Sequence, residues 1–228
     1  MGKIISLLFF GWISLYGNPL SAAKQLLVVQ TSSWSVSSGS LQRYEKHAGV
    51  WHKVGRAITV KVGKNGLAWG RGLHTIPKGA KRIKREGDGR APAGIFRLSY
   101  AFGDKALKLR YPYRRMTRAH HCVDDSRSKY YNQVIDSRKI RKDYKSFEHM
   151  KFPSGLYSYG LFIDHNPKHT PKVGSCIFMH IKKPSGKPTV GCTAMSKAEI
   201  ITVLKWLDPK KKPLLVQAPV VIVERLWR

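Results

Sequence analysis

Short apolar runs, each about the length of a strand, make up much of the N-terminal half. Three of them cover residues 26–30, 50–54 and 57–62. In the third, apolar and polar residues alternate from Ile58 to Val62, which is the period of a strand with one buried face. The serine-rich stretch 31–40 predicts a loop after the first run. This half of the chain is therefore predicted to be rich in strands.

The middle of the chain has a different pattern. Four glycines within residues 63–72 predict tight turns around a short strand, and Pro92 with Gly94 predicts a turn before another strand. Residues 104–150 are rich in charged residues, tyrosine and histidine, with weak periodicity. We expect a long insertion there, containing short helices at most and serving as a lid, since loops of this length in compact domains are usually functional.

The C-terminal third combines strands with one helix. Residues 156–164 and 174–181 predict strands, and residues 214–217 and 220–223 predict two more at the end. The spacing of Ser196 and Glu199 fits a capping box, which predicts a helix over residues 198–207 that Asp208-Pro209 ends. The fold class predicted by these elements is α+β, mostly β, with a helix near the end.

The N-terminus has the pattern of a secretory signal peptide. Lys3 precedes the mostly apolar residues 4–16, and Ser21-Ala22-Ala23 provides the small residues that a signal peptidase reads, so we expect cleavage after Ala23. An uncleaved anchor is the alternative, although the apolar run is shorter than the roughly 20 residues of a bilayer span. We expect a signal peptide at 1–23, a single domain at 24–228 with no membrane span, and a location in the periplasm or cell wall.

The charge of the chain is strongly positive. Its 42 Lys and Arg residues outnumber 13 Asp and Glu residues, giving a formal net charge of +29. Inside a cell such a balance would first suggest nucleic acid, but an exported protein meets anionic wall polymers and lipid headgroups instead. A solvated basic surface and a wall-binding surface both fit, and we expect no nucleic-acid partner.

Three cysteines are an odd number for an oxidising compartment. One disulfide and one free thiol is the simplest arrangement of Cys122, Cys176 and Cys192. A free thiol retained outside the cytoplasm suggests a catalytic nucleophile. The sequence contains no CxxC pair and no His/Cys cluster with zinc spacing, so we expect neither a metal site nor a cofactor.

His180 and Cys192 are a candidate catalytic pair. The loop between them contains two prolines and a glycine, and its length lets the imidazole and the thiol lie side by side. A neighbouring imidazolium would lower the pKa of the thiol, and the histidine would then protonate a leaving amine. Gly191 is expected to adopt a backbone conformation barred to other residues, which would direct the amides of Gly191 and Cys192 at an oxyanion. A packed histidine and an inert core thiol are the alternative.

The segment ending in Thr189-Val190-Gly191-Cys192 resembles the catalytic motif of the L,D-transpeptidase (YkuD) family, a histidine followed by a loop and Ser/Thr-x-Gly-Cys. Residues 91–96 resemble the family's upstream P-x-G-x-F signature, and the similarity spans roughly residues 50–220. It includes further stretches that are shared with one branch of the family, at 87–90, 122–125, 130–132, 146–150, 164–166, 174–180 and 206–209.

The resemblance implies a β-rich catalytic domain with the cysteine on a loop beside the sheet and a helix after it. It also implies that Cys192 attacks the L,D-peptide bond of a peptidoglycan tetrapeptide stem and forms a thioester. An amine from another stem would resolve the thioester into a 3→3 cross-link, with His180 as base and acid. Water as the acceptor would make the same site an L,D-carboxypeptidase or endopeptidase. A basic wall-binding protein without catalysis is the alternative from another class.

Two departures from the family motif concern substrate binding. Val190 stands where the more familiar motif has a histidine, and Thr193-Ala194-Met195 stands where it has an arginine. An arginine elsewhere, Arg90 or Arg127, would then anchor the substrate.

The remaining candidate residues lie within or near the family-like stretches. Thr189, Ile181 and Asn166 are further substrate-site candidates, and the Ile181 carbonyl is expected to orient the imidazole. Cys122 and Cys176 would form a disulfide near the site or remain reduced. Asp124 and Asp125 would bind a stem amine or a metal, or cap a turn or a helix, and Glu148 is expected to shape the pocket.

Overall fold

The computed structural model describes residues 18–227, which form thirteen strands, two α-helices and one short 3₁₀ helix. The strands are β1 (Gln25–Thr31), β2 (Ser38–His47), β3 (Val50–Lys61), β4 (Leu67–Trp69), β5 (Ala91–Gly103), β6 (Tyr113–Arg115), β7 (His120–Val123), β8 (Val134–Asp136), β9 (Phe147–His149), β10 (Gly160–Ile163), β11 (Phe178–Ile181), β12 (Thr193–Met195) and β13 (Leu214–Pro219). The helices are α1 (Lys197–Trp206), the 3₁₀ turn Pro209–Lys211 and α2 (Val220–Trp227).

Eight of the strands close into a barrel in the order β5, β10, β11, β12, β3, β2, β1, β13 and back to β5. The long strand β5 makes closure possible because its residues 94–97 pair with β13 and residues 98–102 pair with β10. The pairs β1–β13 and β11–β12 are parallel, and the other pairs around the barrel are antiparallel. The predicted mostly-β fold with a helix after Cys192 is confirmed.

Buried and mainly aliphatic side chains fill the barrel and the space between it and the two α-helices, and we call this cluster the barrel core. Leu27, Phe96 and Leu215 are fully buried in it. Helix α1 adds Ile200, Val203 and Leu204, whose three- and four-residue spacing places them on one face. Ser196 caps this helix in a capping box with Glu199, as the sequence predicts.

The 104–150 segment folds differently from the prediction of short helices. In this described segment β7 pairs with β8 on one side and β9 on the other, giving a three-stranded insert sheet. A disulfide joins Cys122 of β7 to Cys176, just before β11, with a Cα–Cα distance of 6.0 Å. Sheet pairing and this covalent tie order a segment whose sequence has little periodicity.

A second cluster of buried side chains lies between the insert sheet and the barrel, and we call it the site core. It contains the aromatic residues Tyr100, Phe102, Tyr157, Phe162 and Phe178 together with Met116, Met150, Leu156 and the sulfur atoms of Cys122, Cys176 and Cys192.

Several strand predictions were wrong in number or length. Strand β2 was not predicted, and residues 50–62 hold one strand, β3, rather than two. Gly55 lies inside β3 with a φ of 65°, beside a register shift, so its backbone conformation bends a continuous strand. The strands at 160–163 and 178–181 are shorter than predicted, since residues 156–159 form turns and bends and residues 174–177 lie outside the regular strand.

The predicted strand at 220–223 is wrong, since these residues begin helix α2. Val223 is buried, and Ile222 and Leu226 pack against the barrel core, a spacing of three to four residues. Tertiary packing of this face overrides the strand preference of the valines.

The predicted signal peptide lies mostly outside the described residues. Residues 18–23 are described, and Leu20 and Ala23 are buried against the barrel core. No helix within residues 18–227 combines the length and apolar character needed to cross a membrane.

Candidate active site

Cys192 and His180 lie close to each other along two neighbouring parallel strands of the barrel, β12 and β11. His180 belongs to β11, Cys192 directly precedes β12, and the register pairs His180 with Ala194. Both side chains line the same cavity of about 270 Å³, although each residue is more than nine-tenths buried. The structure therefore brings the two predicted residues to one cavity.

The imidazole of His180 has a fixed orientation. Its Nδ1 lies 2.8 Å from the backbone carbonyl oxygen of Ile181, so Nδ1 is protonated and donates a hydrogen bond to this oxygen. This contact leaves Nε2 as the basic nitrogen. Burial lowers the pKa of His180 to about 4, which keeps the ring neutral near pH 7.

The sulfur of Cys192 is held by backbone groups. The Phe178 N–H donates to Sγ at 3.4 Å, and Sγ–H donates to the Cys176 carbonyl at 3.6 Å. Burial raises the pKa of the thiol far above its usual range, and the nearby Glu148 raises it further. Burial of both groups therefore favours a neutral thiol and a neutral imidazole, whereas the sequence predicted a thiolate–imidazolium pair.

The turn before Cys192 is fixed by Thr189. Its hydroxyl donates to the Cys192 carbonyl at 2.6 Å and accepts from the Gly191 N–H at 3.2 Å. The Gly191 amide is therefore directed at Thr189, whereas the sequence suggested an oxyanion contact. Gly191 also lacks the expected positive φ. A Cβ there would meet Ile177 Cδ1 at 3.3 Å and the Arg90 carbonyl oxygen at 3.4 Å, so close packing is the reason for a glycine.

Two cavities meet at Cys192. The aromatic cavity, of about 270 Å³, is lined by Phe147, Phe152, Tyr157, His180, Val190 and Cys192 among others. The charged cavity, also about 270 Å³, is lined by Lys64, Lys84, Glu86, Asp124, Glu148 and Cys192 among others. Glu148 lines both. Cys192 thus has a separate space on each side, which suits a nucleophile that meets two substrates in turn. A larger cavity of about 510 Å³ lies elsewhere, lined by Arg97, Tyr111 and Leu214 among others.

Tyr157 connects Glu148 with the histidine. Its hydroxyl donates to the Glu148 carboxylate, and its ring meets the His180 ring edge-on with centroids 5.2 Å apart. Burial raises the pKa of Glu148 to about 7, with Asp124 and Glu86 acting in the same direction. The sequence suggested a pocket-shaping role for Glu148. Only the tertiary structure shows its contact with Tyr157 at this site.

Arg90 and Asn166, two of the predicted substrate-binding residues, use their side chains in hydrogen bonds to backbone carbonyls. The guanidinium of Arg90 donates to the carbonyls of Asn65 and Leu67, so only its backbone approaches Gly191. Asn166 is fully buried, and its amide donates to the carbonyls of Thr170 and Gly174, holding the loop after β10.

The acidic pair of the insert divides between two roles. Asp125 accepts the backbone N–H groups of Arg127 and Lys145, which is a turn-capping role. Arg127 pairs with Asp125 rather than with the charged cavity. Asp124 lines that cavity, and its buried Oδ1 has no hydrogen-bond partner among the described residues.

The basic residues of the charged cavity were not identified from the sequence. Lys84 is buried, and its Nζ lies 2.6 Å from Asp88 Oδ1. Lys64 is exposed at the mouth. Lys84 lies three residues before the family-like stretch 87–90, whereas Lys64 is next to none of the family-like stretches. Among residues 18–227, no three His, Cys, Asp or Glu side chains form a group that could hold a metal ion.

Comparison with known proteins gives a family match and structural matches. The family model of the L,D-transpeptidase catalytic domain (YkuD) matches residues 30–222. The solved structure of Bd1075 from Bdellovibrio bacteriovorus is 11% identical, with a TM-score of 0.42, and the match covers 90% of this chain. It covers 53% of the Bd1075 chain, so this chain spans about half the length of that protein. A search of the curated proteins found no match.

Proposed function

Since the chain belongs to the L,D-transpeptidase catalytic domain (YkuD) family, we propose that it is a peptidoglycan L,D-transpeptidase that forms 3→3 cross-links through a thioester on Cys192. The observation that carries the proposal is the position of Cys192. This thiol lies between two cavities, with His180 on the wall of one of them. A transferase needs room for a donor and an acceptor beside one nucleophile.

In the first step the neutral imidazole acts as general base. His180 Nε2 takes the thiol proton as Sγ attacks the carbonyl carbon of the L,D-bond in a tetrapeptide stem. The imidazolium then protonates the leaving amine, the C–N bond breaks, and the terminal D-amino acid departs. Because burial disfavours both ionised forms before substrate arrives, proton transfer accompanies the attack.

Backbone groups of the turn stabilise the charge that develops on the carbonyl oxygen. The Gly191 N–H already donates to Thr189, so the Cys192 amide is the remaining predicted donor at this turn. One such donor contributes roughly 3–4 kcal/mol to transition-state stabilisation. The exposed Lys64 ammonium at the mouth of the charged cavity takes the anchoring role proposed earlier for Arg90, by pairing with a substrate carboxylate.

The proposal includes export to the periplasm or cell wall after signal-peptide cleavage. A formal charge of +29 would hold the enzyme near anionic wall polymers, which are its expected partners besides the stem peptides.

The test is covalent capture by a carbapenem, a β-lactam that acylates nucleophilic thiols. Wild-type protein is expected to gain the mass of one drug molecule, and Cys192→Ala to gain none, as read by intact-mass spectrometry. The His180→Asn variant should acylate at least a hundredfold more slowly, since it lacks the general base. Adduct formation on Cys192→Ala would refute the assignment.

Incubation with purified disaccharide-tetrapeptides separates the alternatives. Transfer gives new dimers, whereas an L,D-carboxypeptidase or endopeptidase gives only shorter stems. A wall-binding protein without catalysis would give no product, and its wild type and Cys192→Ala variant would bind sacculi equally.

A further inference from the structure

Among residues 18–227, Glu148 is the one carboxylate that lines both cavities beside Cys192. The other two carboxylates near the thiol, Glu86 and Asp124, line the charged cavity alone. A donor and an acceptor that occupy the two cavities would therefore both approach the Glu148 side chain. This position separates Glu148 from the structural acidic residues of the insert.

The insert sheet fixes this position through a short chain of contacts. Glu148 lies on β9 directly opposite Cys122 of β7. Cys122 is bonded to Cys176, whose carbonyl oxygen accepts the Cys192 Sγ–H. The strand that carries the carboxylate is thus hydrogen-bonded to β7, and the disulfide ties β7 to the segment that contacts the Cys192 thiol.

The surroundings of the carboxylate suit reversible proton transfer. Tyr157 donates a hydrogen bond to Glu148 and packs against the imidazole of His180. With burial, the charges of Asp124 and Glu86 raise the Glu148 pKa to about 7, so both protonation states are accessible near neutrality. The other titratable or charged groups on the walls of the two cavities are Lys64, Lys84, His149, His180, Lys183, Lys187 and Cys192.

The charged cavity fits an ammonium group. Glu86 accepts hydrogen bonds from Tyr131 and Ser175, which fix its carboxylate. Asp124 leaves one buried oxygen without a hydrogen-bond partner among the described residues. Together with Glu148, these oxygens would attract the amine of an incoming acceptor, which is an ammonium ion in water at neutral pH.

We propose that Glu148 is the acid–base residue of the acyl-transfer step, which accepts a proton from the acceptor ammonium in the charged cavity. This inference rests on the proposed thioester mechanism and adds a second proton acceptor to it. The neutral amine then attacks the thioester carbonyl, and His180 takes the second proton from the attacking nitrogen. The C–S bond breaks, His180 protonates the departing thiolate, and Glu148 releases its proton to water.

The test compares acylation with transfer in the same protein. Acylation is the rate of carbapenem adduct formation, and transfer is the rate of dimer formation from disaccharide-tetrapeptide. We expect Glu148→Gln to lower the ratio of transfer to acylation at least tenfold, and Glu148→Asp to restore part of it. The remote, exposed Glu224→Gln makes the same charge change on α2 and should leave both rates unchanged.

The pH dependence gives a second readout. The wild-type transfer rate should rise as the pH increases through about 7, because the carboxylate is the proton acceptor. Glu148→Gln should lose this limb while keeping the acylation profile set by His180. Thermal melting of each variant checks folding. If Glu148→Gln does not fold, the same comparison is made with Glu148→Asp.

The outcomes distinguish the two proposals. A wild type that gains no carbapenem mass contradicts the proposed function itself. A wild type and a Glu148→Gln that acylate and make dimers at equal rates contradict only the role of Glu148. An equal loss of acylation and transfer would also overturn it, because the carboxylate would then act at Cys192 and not on the acceptor.

Discussion

The barrel core and the site core are built from different materials. The barrel core is mainly aliphatic and is enclosed by strands that close on themselves. The site core consists of aromatic rings and sulfur atoms and contains a disulfide, a buried thiol and a nearby tyrosine–carboxylate contact. Burial of apolar surface stabilises the first, whereas a covalent tie and buried polar contacts hold the second in place.

This difference teaches where reactive groups can be kept. His180 sits on a barrel strand and Cys192 lies directly before one, so the closed sheet holds both backbones. The insert sheet supplies Glu148 and one half of the disulfide. The barrel fixes the position of the thiol, and the insert brings a carboxylate close to it.

The largest expected effect is the loss of unfolding free energy when a side chain of the barrel core is removed. Phe96→Ala removes a fully buried ring of β5, which packs edge-on against His74 and His165, and should lower the free energy of unfolding by about 3–5 kcal/mol. Urea denaturation followed by circular dichroism measures this loss. Phe152→Ala is the matched control, since its ring is 39% exposed, and it should cost less than about 1 kcal/mol. Equal losses would show that the barrel core is not the main source of stability.

The next effect concerns the disulfide. Its loop spans 54 residues, so a Cys122→Ala/Cys176→Ala variant should lose about 2–4 kcal/mol. We expect the carbapenem acylation rate to fall more than tenfold while the far-ultraviolet spectrum of the barrel persists. Hydrogen exchange should rise first in β7, β8 and β9. Full acylation activity in this variant would mean that the insert sheet holds its position without the covalent tie.

The smallest effect is the pH dependence of the unfolding free energy. Burial lowers the pKa of His180 from 6.5 to about 4, so stability is lost as the pH falls through this window. Burial raises the pKa of Glu148 from 4.5 to about 7, so stability is lost as the pH rises through that window. As the pH rises from 4.5 to 7, the unfolding free energy of Glu148→Gln should therefore increase by about 1–2 kcal/mol relative to that of the wild type, allowing for partial solvent screening.

Denaturation curves at several pH values measure this difference, and Glu224→Gln should follow the wild type. A constant offset between Glu148→Gln and wild type would show that the Glu148 pKa is similar in the folded and unfolded chains.

Local patterns predicted the elements whose two faces differ in burial. Strand residues 58–62 and helix α1 have a clear period, and Ser196 with Glu199 marks where the helix begins. Strand β2 was missed because most of its residues are only half-buried, so backbone pairing rather than an apolar stripe defines it. Helix α2 was taken for a strand since its valines favour strands until packing against the barrel core decides otherwise.

The sequence by itself predicted the Cys192–His180 pair, because a free thiol, a histidine and the turn between them lie within thirteen consecutive residues, 180–192. Tertiary structure decided how deeply both side chains are buried, and this burial favours the neutral thiol and the neutral imidazole. It also decided the place of Glu148, which is 44 residues from the thiol along the chain. Sheet pairing and a disulfide bring the carboxylate there, and neither leaves a periodic signal in the sequence.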